Sequence, residues 1–361
     1  MFIKGDNFVS KDIRSILLIQ IGDIGDVVLS FPAIRALREN FPDAILVVAV
    51  REKAAELITD CPWTTDVISI NKEKRTWYQG FAYQKDFFLR LWKYNFDLAI
   101  DLRTDSRGAI LTLLSGARQR IGFYSPDGKL WRNRIFTHFS YPKREPGQHM
   151  AAYYLNILLD YNFETENIWP ELVITEEKLQ KARELFKAEN ILEDRPVIAI
   201  QPFSLWQYKE WGVNKYIDLV QWLSDKYKLS IIITGSPDER EKAHKLIKKC
   251  ERDVHNFAGK TSIGMLAAVL KICRLFIGGD SAGIHISAAV GTPTVSIFGP
   301  MSSDAWAPRG PQHQVVYNNM SCVPCHQKGC QGSGFSRCLE ELTLNEVIAA
   351  VNFQIGEILK S

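Results

Sequence analysis

The chain has 361 residues, 46% hydrophobic and 24% charged, with a formal net charge of +3. That length suits two globular domains, and the near-neutral total excludes a molecule that binds polyanions over its whole surface. No run of about 18 apolar residues exists to cross a bilayer. The first fourteen residues hold no apolar core of signal-peptide length, so a cytoplasmic protein is expected.

An apolar run over 15–20 reads as a strand buried on both faces. A helix is expected over 27–40, kinked by Pro32. Strands then fall at 45–50, 67–70, 96–101 and near 120–123, and helices at 52–59, 85–94, 107–114 and 149–160. Residues 161–175 are polar, carry Pro170 and show no period, which marks a linker. The alternation restarts beyond it. Helices are expected over 176–189, 213–227, 238–249, from 262 onward, and 343–360, with strands at 197–200, 229–234, 275–277, 294–298 and 315–317. Strands alternating with helices imply parallel sheets. The fold class expected is therefore α/β, with domains 1–172 and 173–361 and a last helix able to pack back on the first domain.

Two Gly-rich turns follow apolar strands, and each combines a carboxylate with the start of a helix: Gly22-Asp23-Ile24-Gly25-Asp26 and Gly278-Gly279-Asp280-Ser281-Ala282-Gly283. Ligands of open α/β sheets bind beyond the carboxyl ends of strands, so the pair suggests two domains facing each other across a cleft. Neither turn has the G-x-G-x-x-G spacing of a dinucleotide site, which disfavours a nicotinamide oxidoreductase. By position Asp23 is the helix cap, leaving Asp26 freer to act as a general base. In the second turn, free N–H groups and the helix dipole suit phosphate, and Ser281 adds a hydroxyl. Asp280 would repel phosphate and fits sugar hydroxyls instead. His285, one turn into the helix, is either structural or a ligand contact. Three further loops follow strands. One carries Ser204 and Lys209, a compact cation suited to a diphosphate. One carries Asp238 and Glu239, whose carboxylates suit helix capping or ribose hydroxyls. The third, 257–262 with Thr261, has the composition to line a nucleobase.

Seven basic residues, Arg118, Arg120, Lys129, Arg132, Arg134, Lys143 and Arg144, face one acid, Asp127, with Trp131, Phe136 and Phe139 interleaved, and residues 74–94 are similarly aromatic and basic. Aromatics among cations suit an anionic amphiphile or a lipid headgroup layer. Cys322, Cys325, Cys330 and Cys338 form a C-x2-C-x4-C-x7-C cluster. Four thiolates at that spacing either close a tetrahedral zinc site, with His326 as a substitute ligand, or stay reduced in a loop.

Taken together these residues resemble the ADP-heptose:lipopolysaccharide heptosyltransferases of glycosyltransferase family 9. The resemblance runs through Gly25-Asp26-Val27, Pro32-Ala33, Leu37-Arg38 and Phe41-Pro42-Asp43. It continues in 96–102 and Arg120-Ile121-Gly122-Phe123, and then in Gly279-Asp280-Ser281, His285, Ala288-Ala289, Gly291-Thr292-Pro293 and Phe298-Gly299-Pro300. It implies a GT-B fold of two Rossmann-like domains, the first for acceptor and the second for donor. It also implies inverting transfer of heptose from ADP-heptose to the lipid A-linked inner core, by a protein peripheral on the cytoplasmic face of the inner membrane. No cofactor is required, and nucleic acid is not a partner. Asp26 becomes the base. Ser204, Lys209, Glu239, Thr261, Asp280, Ser281, Ala282, Gly283 and His285 take the donor, while Gly25, Arg120 and Arg132 take the acceptor. Ser281-Ala282 departs from the Thr-Gly of many members. The alternatives are another nucleotide-sugar enzyme of this fold, such as an epimerase, or a non-catalytic nucleotide-sugar binding protein.

Overall fold

Strand β1 (Ser15–Gln20) is buried at all six residues, as a central strand covered by helices on both faces must be. It is flanked by β2 (Ile45–Arg51) and, on the other side, by β4 (Leu98–Asp101), so that Ile16 lies level with Leu46 and with Leu98. With β3 (Asp66–Ile70), β5 (Gln119–Phe123) and β6 (His138–Ser140) the order is β3-β2-β1-β4-β5-β6, all parallel. The chain builds outward from β1 to β3 and then returns to place β4 on the opposite side. The carboxyl end of the β1–β4 seam is therefore a topological switch point, where such sheets open a crevice.

In the computed structural model the described residues are 8–71, 77–126, 130–141, 144–192 and 194–360. They divide into two units, Met1–Val173 and Ile174–Ser361. The second repeats the plan of the first. Strands β7 (Val197–Gln201), β8 (Ser230–Ile233), β9 (Val254–Asn256), β10 (Leu275–Gly279), β11 (Thr294–Phe298) and β12 (His313–Tyr317) take the order β12-β11-β10-β7-β8-β9. Here β7 stands where β1 stood, and the switch point is the β7–β10 seam. The last helix, Leu344–Lys360, buries Val347, Val351 and Ile355 in the core of this second unit, with Val220 and Leu223. That face of the helix belongs to the second unit's core.

The helix expected over 27–40 is two helices, Ile24–Leu29 and Phe31–Asn40, with Ser30 ending one and capping the next. Pro32 sits in the first turn of the second helix, where its missing N–H forfeits no bond, so it starts a helix and does not kink one. The helix expected over 85–94 runs from Trp77 to Trp92. The helix expected from 238 is a 3₁₀ turn, Pro237–Glu239, followed by Arg240–Cys250. Two three-residue strands, β6 and β9, are too short to carry a visible alternation. No helix among the described residues is long and apolar enough to cross a membrane.

Candidate active site

In the first unit the β1–β4 seam gathers one acid and its holders. Asp23 caps helix Ile24–Leu29, and Asp26 at the third helical position reaches back so that its Oδ2 accepts the Asp23 N–H at 2.9 Å. This is the reciprocal contact of a capping box. Asp26 Oδ2 also lies 3.2 Å from the Arg103 guanidinium, and Oδ1 accepts the Tyr154 hydroxyl at 2.6 Å. Asp26 is thus more engaged than the sequence suggested, and its side chain is 14% exposed. Gly22 is required by close approach: a Cβ there would come within 2.6 Å of Arg103 Nη1 and of Asp26.

Arg103 follows β4 and is itself fixed. Its N–H donates to Asp101 Oδ1 at 3.1 Å, its Nε to Asp105 at 3.3 Å, and its carbonyl accepts Arg132 Nη2 at 2.9 Å. Burial pushes the Asp101 carboxyl up to about 8, against the pull of Arg103 and Arg132.

In the second unit the β7–β10 seam brings a cation to the other Gly-rich turn. Lys209 closes a 3₁₀ turn, Gln207–Lys209, in the loop after β7, and its Nζ lies 2.6 Å from Asp280 Oδ2 after β10. That loop is pinned from the carboxyl-terminal region. The Ser336 hydroxyl donates to the Tyr208 carbonyl at 2.6 Å, and the buried Trp211 indole donates to Leu342 O at 2.9 Å. Glu210 folds back to accept the Ser204 N–H at 3.0 Å. Burial raises the Glu210 carboxyl above its ordinary range, and the neighbouring Glu239 adds to this. Ser281 caps helix Ala282–Ala289 in an extended conformation, and its hydroxyl is buried without a hydrogen-bond partner. Gly283 admits no side chain, since a Cβ would meet Gln201 Oε1 at 2.3 Å. Lys209 thus reaches the turn that carries the unsatisfied Ser281 hydroxyl and the start of helix Ala282–Ala289, donors of a kind that suits a phosphate oxygen.

The sequence profile of glycosyltransferase family 9 (heptosyltransferase) matches residues 85–335. The chain belongs to this family. It is 25% identical to lipopolysaccharide heptosyltransferase 3 of Escherichia coli K12, over 79% of this chain and 82% of that protein. Among solved structures it is similar to the glycosyl transferase family 9 protein of Veillonella parvula DSM 2008, at a TM-score of 0.82 and 20% identity, covering 99% of this chain and 100% of that one. It is also similar to E. coli ADP-heptose lps heptosyltransferase II, at a TM-score of 0.75 and 19% identity, covering 95% and 99%. The fold is the GT-B class, and the protein is a glycosyltransferase.

Several residues expected at the sites of this glycosyltransferase also serve its fold. Arg132 is 2% exposed, and its Nη1 donates to the Phe123 carbonyl at 2.8 Å while Nη2 holds Arg103. Arg120 spends its guanidinium on the carbonyls of Ile135 and Ala117, both at 2.7 Å. Both arginines tie backbone together. Arg118, Arg134 and Arg144 of the same segment are exposed, whereas Lys129, Lys143 and Asp127 lie outside the described residues. So does Lys74 of the other aromatic and basic stretch.

His285 is buried, its ring edge-on to Trp306 at 6.4 Å. Glu239 Oε2 accepts the Ser236 N–H at 2.7 Å, so this carboxylate caps its own turn. Thr261 is half-buried, beside a Lys260 that pairs with Glu189 at 2.5 Å. Gly25 and Ala282 are half-exposed in the first turns of their helices.

Of the two readings of the cysteine cluster, zinc is not supported: no group of three or more potential ligands able to hold an ion occurs among the described residues. Cys322 and Cys330 are exposed, Cys325 is partly exposed and Cys338 is buried. Arg103, Tyr154 and Glu210 were not found from the sequence. Arg103 stands two residues after a strand-end aspartate, a usable signal; Tyr154 sits in an apolar helix and reads as core.

Proposed function

We propose that the protein transfers heptose from ADP-heptose to the lipid A-linked inner core of lipopolysaccharide, with inversion. The names of the relatives support the donor and the acceptor. In this reading Asp26 takes the proton from the acceptor hydroxyl as its oxygen forms a bond to the anomeric carbon. The bond from that carbon to the diphosphate breaks on the opposite face, and its electrons leave with ADP. Gly25 leaves room for the acceptor beside the base. Lys209, Ser281 and the helix start at Ala282-Gly283 stabilise the charge on the departing diphosphate. Asp280 grips donor sugar hydroxyls, Glu239 the ribose, and Ser204 and Thr261 border the nucleotide. The exposed Arg118, Arg134 and Arg144 with the exposed Trp131 meet acceptor phosphates at the cytoplasmic membrane surface.

The observation that carries the reading is the Lys209–Asp280 pair beside the unsatisfied Ser281 hydroxyl, at a switch point. Its test is a thermal-shift panel of ADP, UDP and GDP with calorimetry on Lys209→Ala. A ligand that binds only the folded state raises stability as ln(1 + [L]/Kd). ADP is expected to stabilise most, and Lys209→Ala to weaken it at least severalfold. Equal shifts from all three nucleotides, or an unchanged Kd in the variant, would remove the donor assignment.

A further inference from the structure

We propose that Tyr154 and Arg103 are positioning residues for Asp26 and that they leave Oδ1 as the atom that receives the acceptor proton. The proposal rests on reading Asp26 as the base. A carboxylate offers about four in-plane acceptor directions, two on each oxygen. Oδ2 accepts the Asp23 N–H at 2.9 Å and is faced by the Arg103 guanidinium at 3.2 Å, an ion pair and not a hydrogen bond. Oδ1 is occupied once, by the Tyr154 hydroxyl at 2.6 Å. The Arg103 guanidinium stands over the rest of Oδ2, so the open direction is assigned to Oδ1.

The three donors come from three separate elements, so the carboxylate cannot turn without breaking contacts to all of them. Tyr154 projects from helix Met150–Leu159 and is 3% exposed. Burial, and then the charge of Asp26, push its phenol well above its ordinary value, so it acts as a donor. Its ring lies against Tyr153, which stacks on Phe123 at 5.1 Å. Arg103 is held by Asp101, Asp105 and Arg132, as described above. The charged groups around the site are Asp23 with its partner Arg51, Arg103, Asp105 and, behind them, Asp101. Tyr154 is the donor that can be removed while charge and shape stay the same.

The test uses the full chain with ADP-heptose and its acceptor. Tyr154→Phe keeps the ring and deletes the donor. It is expected to lower kcat about tenfold while both KM values and the Kd for ADP stay within about twofold. Arg103→Lys is expected to retain more turnover than Arg103→Met. In an Asp26→Asn background, Tyr154→Phe is expected to cost nothing further, because residues acting as a unit are not additive. Melting curves report whether each variant is folded, and the Arg103 pair carries the test if Tyr154→Phe is not. If Asp26→Asn is inactive while Tyr154→Phe and Arg103→Met keep normal kcat, positioning is wrong and the base stands. If Asp26→Asn turns over normally, the base reading falls and this proposal falls with it.

Discussion

At the scale of single residues, Arg120 and Arg132 are instructive. Sequence shows that Arg120 and Arg132 lie in a basic, aromatic stretch, but it does not show where a guanidinium points. With five donors in a rigid fork, an arginine can satisfy backbone carbonyls that no other group reaches, and both of these do so. Arg132 stands 3.7 Å from the fully buried Asp101 carboxylate, beyond hydrogen-bond distance. Burial therefore outweighs attraction, and the Asp101 carboxyl rises to about 8. The folded state then holds a proton that the unfolded chain releases near pH 4. Its stabilising contribution is complete below pH 4 and is lost as pH rises through about 8. Thermal melts of wild type should therefore fall between pH 6 and 9, and those of Asp101→Asn, a neutral isostere, should fall less. Parallel curves for the two proteins would show that Asp101 is ionised in the fold.

At the scale of elements, the strands and most helices were legible because their signals are local. An uninterrupted apolar run such as 15–20 has few competing readings, and its burial at every position follows. The two Gly-rich turns were legible for the same reason: a strand, a glycine and a capping acid are neighbours in sequence. What was not legible is reciprocal or distant. Asp26 returning to the Asp23 N–H depends on the exact helix start, and Tyr154 reaches Asp26 across 128 residues. Likewise nothing in the stretch after Ser204 announces that Ser336 and Leu342 anchor it. The turn after β1 gives a sharp prediction. Gly22→Ala places a methyl group 2.6 Å from Arg103 Nη1 and from Asp26. Overpacking of this kind costs about 1–3 kcal/mol. A lowered melting temperature and a kcat reduced with little change in ADP affinity are expected, and unaltered kcat would show that the turn relaxes.

At the scale of the whole molecule, the break in sequence pattern over 161–175 and the division after Val173 fall together. Each unit closes its own core. Val220, Leu223, Ile277, Val295, Val347 and Val351 form one cluster within the second unit, and Leu17, Ile19, Val47, Ala99 and Leu111 another within the first. Residues 174–361 expressed alone should therefore unfold cooperatively and bind ADP with an affinity within several-fold of the intact chain. A fragment that shows no thermal transition would mean that the second unit's core is insufficient by itself. The equivalent strand order of the two sheets was foreseeable only as a class, because sequence gives succession along the chain and not adjacency across a sheet.

One contact has a wider consequence. Because Lys209 already holds Asp280 at 2.6 Å, this turn presents no naked positive charge to the surrounding solution. An arriving anion must evict an internal counter-ion, so its gain is the difference between two attractions of similar size. Stray inorganic phosphate and single phosphate groups of abundant metabolites bring little with which to win that exchange. A sugar diphosphate brings two charges for the ammonium and, at the same time, hydroxyls to re-employ the released carboxylate. On the proposed function, selectivity comes from competition inside the protein as well as from fit to the ligand.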